Sequence, residues 1–194
     1  MLSSITPLGE RGRASRWSVT VTAHLLGSAA GGAVLGLLLG TAGLLLPTPV
    51  PLAAALLAAV ATVAAEAGRW RWFPSWHRQV DEDWLHRYRG WVYGVGYGAQ
   101  LGVGVVTIVT SPVLYVAMAL MAATAGPGEG AVLGAVFGLV RALPLLTVRS
   151  VTTPGRLAAV HRRLERLAPS GRRVSAVWSA AVAVCSLVLL GGVL

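Results

Sequence analysis

A chain of 194 residues that is 55% hydrophobic and only 12% charged is too apolar for an ordinary soluble domain and fits a small membrane protein. Its formal charge of +9 does not point to nucleic acid: the sixteen basic residues are all Arg, and all but Arg141 fall in three segments flanking apolar runs, the pattern of a positive-inside bias. A single cysteine, Cys185, excludes an intrachain disulfide and a cycling thiol pair, and within the apolar run 174–194 it reads as a small buried residue.

In chain order, residues 1–16 read as a polar cytoplasmic tail and 17–194 as a single transmembrane domain. Trp17 stands where an interfacial aromatic anchor belongs. A first span covers about 18–46, and it reads as uncleaved because the apolar run continues well past a signal-peptide core. Pro47-Thr48-Pro49-Val50-Pro51 cannot continue a helix and reads as a tight turn. An Ala-rich second span follows over about 52–67. Residues 69–89 interleave Trp70, Trp72, Trp76 and Trp84 with Arg71, Arg78, Arg87 and Arg89. Rings and guanidiniums together favour the headgroup layer, so this segment reads as an interfacial anchor, with a docking surface for a partner as the alternative.

Residues 91–125 are apolar for about 52 Å if wholly helical. One straight crossing cannot use that length and two barely fit. Two crossings would set the Arg-rich segment 149–173 opposite the other basic segments, whereas one keeps all three together. The sequence therefore predicts a single crossing broken near 110–112. There Pro112 removes a backbone donor, and Thr107, Thr110 and Ser111 can satisfy the freed carbonyls. Gly126-Pro127-Gly128-Glu129-Gly130 reads as the outer turn, with a fourth span over 131–148. Thr153-Pro154 is an N-cap followed by a first-turn proline. The next helix sets Leu157, Val160, Leu164 and Leu167 on one face and His161, Arg162, Arg163, Glu165 and Arg166 over the rest, as in a helix lying on a membrane surface. The last span is 174–194. The expected fold is all-α: a polytopic helical bundle in the cell's inner membrane, of about five crossings, N-terminus inside and C-terminus outside, with a proline-broken central helix and interfacial amphipathic segments.

Glycines recur at every fourth residue in three runs: Gly32, Gly36, Gly40; Gly90, Gly94, Gly98, Gly102; and Gly130, Gly134, Gly138. That spacing lines one helix face and lets backbones approach closely in lipid, within the chain or between copies. Arg141 is the one basic residue inside a span. A charge there needs a partner or an escape to the interface. Glu66, at a similar depth, is the expected partner, with Gln100 sharing the site and snorkelling to lipid phosphate the alternative. Arg141, Glu66, Gln100, Thr107, Thr110, Ser111 and Pro112 thus form the candidate polar cluster.

No metal-protease, nucleophile-elbow, phosphate-loop or Cys-x-x-Cys motif occurs, and the four histidines are scattered. Neither an enzyme, a cofactor nor a metal site is expected. The expected partners are anionic lipid headgroups, together with a second copy or a larger membrane protein. The reading favoured on these grounds is an accessory or assembly subunit of a larger membrane complex. A small-solute or ion transporter or channel, with its site at the broken helix and Arg141, is the alternative.

Two stretches, Thr107-Ile108-Val109-Thr110-Ser111-Pro112-Val113-Leu114 and Gly134-Ala135-Val136-Phe137-Gly138-Leu139-Val140-Arg141-Ala142-Leu143-Pro144-Leu145-Leu146, resemble the later half of the CcdA and DsbD membrane domain of cytochrome c biogenesis. The resemblance implies a proline-broken helix before a Gly-rich span ending in proline. That family carries reducing equivalents through paired cysteines. Here Val113 stands beside Pro112 and neither stretch holds a cysteine, so the thiol chemistry does not transfer.

Overall fold

The computed structural model describes residues 5–13, 15–68, 84–105 and 112–193, and these are helical throughout apart from short connections. The central helix is α2 (Trp17–Leu44), preceded by the short α1 (Pro7–Gly12). Helix α3 (Pro49–Glu66) follows. Then come α4 (Trp84–Arg87), α5 (Gly90–Val103), α6 (Val113–Ala123) and α7 (Pro127–Ala142), which continues as a 3-10 turn over Leu143–Val148. The chain ends in α8 (Pro154–Val193).

Both faces of α2 are cut to receive a neighbouring backbone. On one, a Cβ at Gly32 would strike the Gly134 carbonyl, at Gly36 that of Gly130, and at Gly40 that of Gly126, so α7 runs antiparallel along this stripe. On the other, Gly94 of α5 lies against Thr20, Gly98 against His24 and Gly102 against Ser28, so α5 runs parallel to α2. Further along, Gly43 meets Ala122 of α6. The glycine rows therefore serve packing within the chain, as close small-residue contacts do in lipid. Ser28, fully buried where the three helices meet, donates to the Gly138 carbonyl at 2.7 Å. A second layer joins α3 to α6 and α8 through Ala59, Val116 and Val182.

Among the described residues, four stretches are long and apolar enough to cross a membrane: α2, α3, residues 127–148 and α8. Their outer faces stay apolar and uncovered, as at Leu26, Leu38, Leu57, Val132, Val140 and Val188. Side chains of this kind in contiguous rows suit hydrocarbon rather than water.

Several sequence expectations are adjusted. Within the stretch expected as a polar tail, α1 is docked: Thr6 caps it by accepting from the Gly9 N–H at 3.0 Å, Ile5 is fully buried, and the Leu8 N–H donates to the Val151 carbonyl at 3.2 Å. Pro49 and Pro51 are inside α3 rather than in a turn, because first-turn positions have no intrahelical acceptor for an N–H. Likewise α7 begins at Pro127, within the expected turn. The break in the third apolar run opens earlier than 110–112. Gly104 ends α5 at φ +77°, a left-handed conformation open to glycine, and Pro112 starts α6. The surface helix and last span are one helix of 40 residues that carries Pro169 in its interior. Cys185 is exposed on the outside of that helix, not buried.

Candidate functional site

Among the described residues, Glu10 gathers side-chain hydrogen bonds from three others, and it is a carboxylate with no solvent exposure. Pro7 and the Thr6 cap start a single turn of helix that carries Glu10 inward, toward the first turns of α2 and α5. Its oxygens accept from the Tyr93 hydroxyl at 2.6 and 2.7 Å, from Thr20 Oγ1 at 2.8 Å and from an Arg13 guanidinium nitrogen at 2.7 Å. Burial pulls the Arg13 guanidinium down, but Glu10 and the Tyr93 hydroxyl outweigh it and hold the group above its ordinary value. Arg13 therefore remains a cation, and it also lies over the Tyr93 ring at 5.7 Å. This knot binds α1, α2 and α5 at one end of the bundle. Apolar packing closes around it: Ile5, Val21, Tyr93, Tyr97, Leu145, Val148 and Val151 form one cluster, with Leu157 and Val160 of α8 against it.

Beside the knot opens a cavity of about 680 Å³, lined by Arg13, Arg16, Arg87 and Arg89 together with Ser15, Tyr88 and Trp91. Trp84, behind it, stacks on Tyr97 at 6.1 Å and meets Tyr88 edge-on at 5.4 Å. The expected anchor residues Trp84, Arg87 and Arg89 are thus together at this end. Trp70, Trp72 and Trp76 lie outside the described residues, as do Thr107, Thr110 and Ser111.

The expected pairing of Arg141 with Glu66 does not form. Glu66, at the end of α3, accepts from Ser175 Oγ of α8 at 3.0 Å. Arg141 instead lies over the Phe137 ring at 5.4 Å and packs against Gly104 where α5 breaks. One of its guanidinium nitrogens is buried without a hydrogen-bond partner among the described residues. The reason is which helices are neighbours: α3 packs on α6 and α8, whereas Arg141 belongs to the α2–α5–α7 layer. Gln100 is half-buried on α5, its carbonyl accepting from the Gly104 N–H at 3.2 Å, and Pro112 is buried at the start of α6. Sequence reasoning missed Glu10 altogether. A Thr-Pro cap with a carboxylate three residues after Pro7 was the available signal.

The chain is similar to methylamine utilization protein MauF of several bacteria. It is 33% identical to that of Methylobacillus flagellatus over 174 residues, which cover 84% of this chain and 61% of that protein. The MauF protein of Methylophilus methylotrophus is 34% identical over 152 residues, 74% of this chain and 53% of the relative. That of Paracoccus versutus is 29% identical over 194 residues, 96% of this chain and 71% of the relative. The chain thus spans little more than half the length of the first two. No family model and no solved structure matches it. These relatives overturn the resemblance to CcdA and DsbD, which rested on a proline after polar residues and a Gly-rich run, features that many membrane helices share. They equally overturn the reading as an assembly subunit of a larger membrane complex and its transporter alternative, since what the relatives are named for is methylamine utilization.

Proposed function

We propose that this chain is a membrane-embedded accessory protein of methylamine utilization, acting in the maturation of the methylamine-oxidising machinery rather than on methylamine itself. The observation that carries this is the similarity to MauF proteins, which extends over 84% of the chain and so is not confined to one apolar run. The use of the buried and half-buried polar groups supports an accessory rather than an enzymatic role. Glu10, Ser28 and Glu66 each hold helices to one another.

The same proposal places the bundle in the inner membrane with five crossings, N-terminus inside and C-terminus outside. That α5 and then α6 lie against α2 in one direction along its length supports a single crossing by the broken run. The arginines of residues 13–16 and 87–89 meet around one cavity, as sidedness by positive charge requires.

The test is deletion of the gene in its host. Growth on methylamine is expected to fail while growth on an unrelated carbon source continues. In addition, extracts of the deletion strain should lack methylamine-oxidising activity although methylamine still enters the cells. Full activity in those extracts would overturn the reading.

A further inference from the structure

We infer that the cavity between the starts of α2 and α5 is a binding site for a phosphate-bearing anion, either the headgroup of an anionic phospholipid or free phosphate. Its volume, about 680 Å³, is in the range of small-ligand pockets. Among the described residues no Asp or Glu lines it, and the nearby Glu10 is committed to Arg13, Thr20 and Tyr93. Arg16, Arg87 and Arg89 are exposed at its rim with no acidic partner among the described residues. Guanidiniums gathered this way repel one another until an anion joins them, and their planar forks match phosphate oxygens two at a time.

The backbone adds to the same field. Helices α2 and α5 both begin here, and their cap residues, Arg16 and Arg89, offer no side-chain acceptor to the first turn. The N–H groups of Val92 and Tyr93 are satisfied by the Arg89 carbonyl, whereas those of Gly90 and Trp91, which line the cavity, precede any intrahelical acceptor. Two positive helix ends and these first-turn residues therefore lie beside the space that the arginines surround. Tyr88 and Trp91, 44% and 54% exposed, stand at the rim as rings do at headgroup depth. The lipid source rests on the membrane placement proposed above, and the anion chemistry does not.

The experiment uses the full chain purified in a neutral maltoside detergent, with binding followed by native mass spectrometry and thermal shift. Three probes are compared: dihexanoyl phosphatidylglycerol, inorganic phosphate and dihexanoyl phosphatidylcholine. Phosphatidylglycerol should bind and raise the melting temperature, and binding should weaken about tenfold for each of Arg16→Ala, Arg87→Ala and Arg89→Ala and further for the combined triple variant. The remote triple variant Arg162→Ala/Arg163→Ala/Arg166→Ala on α8, which removes the same charge, should bind as the unaltered protein does. Equal binding of inorganic phosphate assigns the site to the free anion, while binding of the glycerol ester alone assigns it to lipid. Binding of neither, or equal weakening by the remote triple variant, overturns the site. Should the combined cavity variant fail to fold, Arg87→Gln alone gives the same reading. Loss of this site leaves the methylamine growth test untouched, so the two proposals fail separately.

Discussion

Glu10 shows how much a single carboxylate can hold when three donors converge on it. Removing it as Glu10→Ala strands Arg13, Thr20 and Tyr93 at once and should cost about 3 kcal/mol of stability. Tyr93→Phe deletes one donor and should cost about 1–2 kcal/mol. Unfolding in mixed micelles measures both, and the double variant should cost clearly less than the sum, because the two side chains share one interaction. Strict additivity would show that the contact contributes nothing. The Thr6-Pro7 cap and Glu10 three residues later mark a helix start in the sequence, but nothing there marks the carboxylate as buried. A short segment with Arg11, Arg13, Gly9 and Gly12 reads as solvated, and Glu10 is buried only through partners 10 and 83 residues away. The Arg141–Glu66 pairing failed for the related reason that matching depth along two spans does not say which helices are neighbours.

Among the helices, the glycine rows were the most legible feature, because a period of four is visible without knowing any neighbour and their close packing follows directly. What the spacing could not reveal was which row meets which. The structure supplies a sharp contrast for testing it. Gly36→Ala sets a methyl group into the Gly130 carbonyl and should destabilise by about 1–3 kcal/mol. Gly171→Ala on α8, where nothing lies within 4 Å, should stabilise by about 0.5–1 kcal/mol through helix propensity alone. Similar effects in the two variants' unfolding curves would mean that the α2–α7 contact is looser than described. The opposite lesson comes from α8. The surface helix and the last span over 174–194 are expected as separate elements, yet one helix runs through Pro169, Ser170 and Gly171, since a proline removes one hydrogen bond and tertiary packing on either side restores continuity.

For the molecule as a whole, the proposed sidedness has a direct measurement. In a Cys185→Ser background, Thr48→Cys and Gly128→Cys should react with an impermeant maleimide added outside the cell. Gly12→Cys and Ser150→Cys should react only after permeabilisation. Labelling of positions 48 and 128 from opposite sides would rule out a single crossing by α5 and α6. The arrangement of layers also has a consequence for biogenesis. Ser28 reaches Gly138 across 110 positions and Glu66 meets Ser175 across 109, so both early spans wait for partners translated much later. While the ribosome works through the intervening chain, α2 stands with its α7 groove vacant and α3 without its clasp. Until α7 emerges, the row of Gly32, Gly36 and Gly40 offers bare backbone to any neighbour, a window in which an insertion chaperone or slow translation would matter most.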